Sequence, residues 1–303
     1  MLPKKISFVG FKNRLLVLAA VLVILLPGCS KQDDVAPLPA VLKIGILPDE
    51  SRTILMERYT PLFEYISGEL GIPYELKIPE DYAGLNDLFN SGDVDLAYFG
   101  GYTFIQAYRK SNAVPLVTRD VDLRFTSYFF SRIDMAEKKI TDYAGKSFSF
   151  GSRFSTSGHL MPRFFLQEKQ IVPETFFSEV RYSGSHDSTA SLVNDGIVDV
   201  GVSNSAIIDA MIKDGRLSME NIHIFWETPP YSDYVWAVQP AMSKSTQTRL
   251  RDAFLSLSPA NKTHAAILTR VDAGGFLPAS LDDYTVLGKI VDQADLHENS
   301  PDQ

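Results

Sequence analysis

The 303-residue chain has one cysteine and five histidines. A single cysteine excludes an intramolecular disulfide and a multi-thiolate metal cluster. The histidines (His159, His186, His223, His264 and His297) are scattered without an H-E-x-x-H pair, so no metal site is expected. Catalytic signatures are missing as well. Gly145-Lys146-Ser147 looks like the end of a phosphate-binding loop, but that motif needs a glycine where Ile140 stands, and the segment precedes a strand instead of following one. There is no G-x-S-x-G elbow, and His186 beside Asp187 does not make a triad, because sequence neighbours need not share a hydrogen bond. Neither an enzyme nor a cofactor is expected. Basic side chains are outnumbered: 29 Lys and Arg stand against 37 Asp and Glu, for a net charge of −8. Such a balance argues against nucleic acid or an anionic membrane surface as partner.

The apolar run at residues 15–26 is too short to cross a bilayer as a helix. It follows Lys4, Lys5, Lys12 and Arg14, the layout of a secretory signal, so residues 1–28 are expected to be removed on export. Its end, Leu26-Pro27-Gly28-Cys29, resembles the lipobox of bacterial lipoproteins, with Pro27 an unusual occupant of its place. Cys29 is then the lipidated first residue, residues 29–40 a tether, and the protein is exported and anchored to the cell membrane or outer membrane. Residues 1–28 carry four positive side chains and no negative one, so the net charge of −8 becomes −12 after cleavage. An anionic ligand must therefore be held by local donors against the overall field.

From residue 41 onward, short apolar strands alternate with amphipathic helices. Residues 41–47, 74–78, 94–99 and 114–118 read as strands, and Leu55, Tyr59, Leu62, Phe63, Ile66 and Leu70 recur at helical spacing between the first two. After a β-rich segment at 127–132, strands follow at 147–150, 179–183, 198–202, 223–226 and 235–238. The tail is helical, and Ser280 with Asp283 fits a capping box. The alternation predicts an α/β protein with parallel sheets covered on both faces. Two such halves with a helical return predict two lobes and a cleft.

The chemistry concentrates at residues 150–162. A strand ends at Phe150, a polar turn follows, and a helix begins near Ser157. Such a helix start aims unpaired N–H groups and the positive end of its dipole outward, and Ser155, Thr156 and Ser157 add three hydroxyls there. The result suits a small oxyanion, although the same hydroxyls also fit a plain helix cap. Other loops at strand ends are 79–84, 97–101, 183–187 and 229–233, where ligands of open α/β sheets are touched.

In this order and spacing, D-Y-A-G (81–84), A-Y-F-G (97–100), S-T-S-G-H-L-x-P (155–162), S-G-S-H-D (183–187) and P-P-Y-S-D (229–233) resemble the phosphonate/phosphite/phosphate-type periplasmic solute-binding proteins of ABC importers. Gly274-Gly-Phe-Leu-Pro278 also fits, and the likeness spans about residues 41–290. It implies a two-lobed type II binding-protein fold, each lobe a sheet flanked by helices, with residues 41–124 and 236–303 in one lobe and 125–235 in the other. It further implies that Ser155, Thr156 and Ser157 hold the oxyanion, that His186 donates a further hydrogen bond, and that Tyr82 reaches across from the other lobe. Asp233 would accept from a protonated oxygen or an amino group. Phe99 stands where the aminoethylphosphonate binders have a tyrosine, and Ala206 where they carry the acid that holds the amino group. The cargo implied is a smaller or uncharged-tail oxyanion (phosphonate, phosphite or phosphate), delivered by a monomeric receptor to an ABC permease in the inner membrane. The alternative is a ligand sensor of the same fold that signals to a membrane partner.

Overall fold

A computed structural model of the chain describes residues 38–298. The expected signal segment, Cys29 and nearly all of the tether lie outside the described residues. Eleven strands form two sheets: β1 (Leu42–Ile46), β2 (Tyr74–Lys77), β3 (Leu96–Phe99), β4 (Val114–Arg119), β5 (Ser127–Arg132), β6 (Ser147–Phe150), β7 (Glu179–Tyr182), β8 (Val200–Asn204), β9 (Ile222–Glu227), β10 (Val235–Val238) and β11 (Phe276–Pro278). The first sheet runs β11-β4-β10-β3-β1-β2 and the second β7-β6-β8-β5-β9. Each carries helices, giving the two-lobed α/β architecture expected.

The sheets are mixed, whereas the alternation predicted parallel ones. β10 lies antiparallel between β3 and β4, β11 is antiparallel to β4, and β5 lies antiparallel between β8 and β9. β5 and β10 are the strands that the chain enters on arriving from the other sheet. A crossing without an intervening α-helix does not restore strand direction, as a βαβ unit would.

The two crossings, at 120–126 and 228–234, are laced together. Phe125 and Tyr231 exchange backbone hydrogen bonds of 2.8 and 2.9 Å, Asp233 N–H donates to Asp122 C=O at 2.9 Å, and Thr228 N–H donates to Ser127 C=O at 3.0 Å. They form one short antiparallel ribbon between the sheets. Arg119 anchors its root, gripping Asp122 through Nε (2.9 Å) and Nη2 (2.6 Å) and the Val271 carbonyl through Nη1 (2.7 Å).

The helix Arg52–Leu70 buries Leu55, Tyr59, Leu62, Phe63, Ile66 and Leu70 and stops at Gly71, whose φ of 69° suits glycine. Pro61 inside it removes the hydrogen bond that the Glu57 carbonyl would accept, and Arg270 Nη1 donates to that carbonyl instead at 3.3 Å. In the first lobe Trp236 is fully buried and stacks on Tyr98 at 4.7 Å. In the second lobe the period of two is visible in neighbours: Phe129 packs with Phe148 and Trp226 on one face of β5, and Phe130 with the apolar cluster of Ala190, Val193 and Ile208 on the other. Burying each such ring contributes about 1.5–3 kcal/mol.

Candidate functional site

The loop after β6 folds back on itself, with Gly151 N–H donating to the Gly158 carbonyl at 2.8 Å. Ser155 caps the turn, its hydroxyl accepting from Gly158 N–H at 2.9 Å. Leu160 N–H donates to the Ser155 carbonyl at 3.0 Å, a five-residue step, so Thr156–Leu160 is one wide turn of π-helix before the α-helix Met161–Glu168. The sequence placed the helix start one residue later. At the mouth of the turn the N–H groups of Thr156 and Ser157 have no intrahelical acceptor. Gly158 keeps the turn and His186 in close approach: a Cβ there would stand 3.0 Å from His186 Cε1 and from Ser155 Oγ, so both would have to give way.

His186 starts the helix His186–Asn194 and is fully buried. Its Nδ1 accepts the Asn204 backbone N–H at 3.3 Å, and a backbone amide can only donate. The ring proton therefore sits on Nε2, which faces Ser155 Oγ and Ser157 Oγ, both at 3.5 Å. Burial pulls the imidazole down to about 4, so it is neutral at ordinary pH and acts as a loosely engaged donor.

Across the cleft, the helix Gly101–Ser111 points its own N-terminus at this turn. Tyr102 N–H donates to Thr156 Oγ1 at 2.9 Å, and Gly101 N–H to Asp233 Oδ1 at 3.0 Å. Space is tight here as well: a Cβ on Gly101 would come within 2.4 Å of Leu287 Cδ2, which would have to shift, and 3.2 Å of the Asp233 carbonyl. Asp233 is buried on the ribbon. Burial pushes its carboxyl up to about 7 despite the Gly101 N–H and the nearby Thr156 and Ser157 hydroxyls, and Oδ2 has no hydrogen-bond partner. Tyr82 opens the helix Tyr82–Asn90, capped by Asp81, which accepts from Gly84 N–H at 2.8 Å. Its buried hydroxyl lies near Ser155 without a hydrogen bond, and burial holds it well above the usual tyrosine value.

Ser155, Ser157 and His186 thus meet directly. Thr156 and Asp233 are joined through the backbone of Gly101 and Tyr102, and Tyr82 closes the remaining side. Phe99 is different: its ring packs edge-on against Phe89 at 5.2 Å, in the wall and without a polar group to offer. Tyr98 points to the other face of β3 and stacks on Tyr234 at 5.1 Å. Ala206 lines a separate cavity of about 510 Å³ with Asp49, Asn204 and Tyr234. Burial pushes the Asp49 carboxyl up to about 6, and the Tyr234 hydroxyl offsets part of that.

Three supports were not picked out from the sequence. The backbone donors of Gly101 and Tyr102 could have been suspected from Gly100-Gly101 at a strand's carboxyl end. Ser127 Oγ donates to the Ser157 carbonyl at 2.7 Å and contacts Tyr231 Oη at 2.5 Å, bracing the turn. Ser203 Oγ lies 3.1 Å from His186 Nδ1. These pairings join residues 17 to 104 positions apart and leave no local mark.

A family model described as the periplasmic substrate-binding protein of phosphonate ABC transporters matches residues 44–284. The chain is 30% identical over 264 residues to a probable ABC transporter phosphite binding protein, PhnD1, of Prochlorococcus marinus, covering 83% of this chain and 89% of that protein. It is 24% identical over 250 residues to the phosphonates-binding periplasmic protein of Escherichia coli, covering 79% and 72%. Among solved structures, PhnD1 of Prochlorococcus marinus in complex with methylphosphonate superposes with a TM-score of 0.80 at 29% identity, covering 85% of this chain and 99% of that one.

Proposed function

The chain belongs to the periplasmic substrate-binding proteins of phosphonate ABC transporters, and we propose that its cargo is a small phosphorus oxyanion (phosphite, phosphate or a phosphonate with a small uncharged substituent) held at Ser155, Thr156, Ser157, His186, Tyr82 and Asp233. As a transport component it binds and releases without chemistry. The observation that carries the proposal is the pair of buried oxygens without partners, Tyr82 Oη beside Ser155 and Asp233 Oδ2 on the carboxyl beside Thr156 and Ser157, at the start of the Thr156–Leu160 turn. An unsatisfied buried polar group costs about 1–3 kcal/mol, which a ligand in this position would recover.

The roles follow from donor and acceptor chemistry. The Thr156 and Ser157 N–H groups, the serine and threonine hydroxyls, the His186 Nε2–H and the Tyr82 hydroxyl donate to ligand oxygens. Asp233 can only meet an anion across a shared proton, so it selects a P–OH or arrives protonated itself. Phe99 contributes shape. Ala206 supplies no counter-ion for an ammonium tail, in keeping with an uncharged substituent, and the methylphosphonate held by the PhnD1 relative is of that kind.

Residues 41–124 with 236–303 form one closing lobe and 125–235 the other, bending at the ribbon. A lipid on Cys29 tethers the monomeric receptor to the membrane, where an ABC permease of the inner membrane takes the cargo. The test is a thermal-shift screen of the purified protein against phosphite, phosphate, methylphosphonate, aminoethylphosphonate and sulfate. A tight ligand at a hundredfold excess over Kd adds about 2.7 kcal/mol to stability. A shift with phosphite, phosphate or methylphosphonate and none with sulfate is expected. A response to sulfate alone, or to none of the five, would reject the cargo.

A further inference from the structure

Away from the cradle, three consecutive residues of the loop after β1 cross to the other lobe. The Asp49 carbonyl accepts from His186 N–H at 3.0 Å, and Ser51 N–H donates to Asp187 Oδ2 at 2.9 Å. Between them Glu50 has a side chain with 0% exposure. Arg58, on the helix of its own lobe, stands 2.7 Å from Oε2, an ionic contact without hydrogen-bond alignment. Arg216, in the turn after the second-lobe helix Ser205–Lys213, brings Nη1 and Nη2 each to 3.4 Å from Oε1. Asp49 and Asp187 are the like charges that face Glu50. None of these side chains belongs to the cradle.

We propose that Glu50 and Arg216 form a latch: Arg58 plants the Glu50 carboxylate on the first lobe, and Arg216 closes onto it from the second, so that cargo retention is set by a pair that never touches the cargo. The inference rests on the lobe closure proposed above. The asymmetry of the two contacts supports it. The pair within the lobe is tight, and the pair between lobes is wide, shared on one oxygen, and made by an arginine whose side chain keeps 27% exposure. The permanent partner thus holds the acid in place, while the wider, partly hydrated one can part when the lobes open. Arg216 is also 3.5 Å from Asp214, which keeps it paired once it lets go of Glu50.

Arg216→Ala is the variant of choice, because Glu50→Gln would leave Arg58 buried without its counter-ion. Stopped-flow binding of methylphosphonate should show dissociation about tenfold faster and association within about twofold of wild type, with Arg216→Lys restoring most of the loss. Unchanged dissociation in Arg216→Ala would overturn the latch. Closure is also read without any ligand, as the distance between spin labels on Val286→Cys and Ile197→Cys in a Cys29→Ser background. Arg216→Ala should shift it to longer values, and an identical distribution would overturn the latch. If wild type binds none of methylphosphonate, phosphite and phosphate, the cargo reading fails, and the unliganded distances still decide the latch.

Discussion

Two clusters hold the lobes together, and they are built from opposite materials. In the cradle the contact across the cleft is uncharged, Tyr102 N–H to Thr156, and within the second lobe a neutral His186 stands between Ser155 and Ser157. Its one acid, Asp233, sits where burial favours the protonated form up to about pH 7. At Glu50 the crossing pair is a carboxylate and the Arg216 guanidinium, with Arg58 behind the carboxylate on its own lobe and Asp187 receiving a backbone N–H beside them. A site that must accept an anion inside an acidic protein cannot carry fixed negative charge of its own, and its donors are dipoles set in place by folding. A pair that must come apart can carry formal charges, since water compensates them when it opens. On the proposed reading the cargo supplies the charge in the first cluster, and the chain supplies both charges in the second.

The largest effect should come from the cradle. Thr156→Val removes a hydroxyl that accepts from Tyr102 and keeps a proton to offer, and calorimetry should show about 1–3 kcal/mol of lost affinity for methylphosphonate. A loss below about 1 kcal/mol, less than the tenfold change expected of Arg216→Ala, would mean that the cradle does not dominate retention. Next comes the proton at Asp233. Its folded value lies above the ordinary carboxylate value, so the stabilisation it brings is complete below about pH 4 and is lost as pH rises through about 7. Asp233→Asn cannot charge. Above pH 7 it should melt about 2–4 °C higher than wild type, a gap that closes below pH 5. Asp49 and Glu50 titrate in the same direction and slope both proteins alike, so the comparison isolates Asp233. A gap that persisted at pH 4 would argue against the protonation account. The smallest effect is that of salt. Between 0.05 and 0.5 M NaCl dissociation should change less than about twofold, because Glu50 is buried and poorly screened. Association should rise, as screening weakens the repulsion between an acidic body and an anion. A fall in association rate would point to a local basic patch that steers the cargo.

Much of this was legible in the sequence. The alternation of strands and helices needs only local periodicity, and the cradle announced itself because three hydroxyls ahead of an apolar helix are side-chain features. Strand direction was not legible. β10 is four buried residues, Val-Trp-Ala-Val, which read the same whichever way the neighbours run. The amide donors of Gly101 and Tyr102 have no side-chain signature at all. Glu50 and Arg216 are 166 positions apart, and nothing near either one hints at the other.

Asp233 lies on the ribbon that joins the lobes, held there by its N–H to Asp122. Two strands bonded to each other bend together about one line, and a point on that line hardly travels as the halves swing. If the lobes close about the ribbon as proposed, Asp233 meets an arriving molecule in nearly the same posture whether the halves stand apart or together, while Ser155, Thr156 and Ser157 sweep in afterwards. Sorting by protonation can precede enclosure, and an anion of the wrong kind can be turned away before the protein has committed to shutting on it.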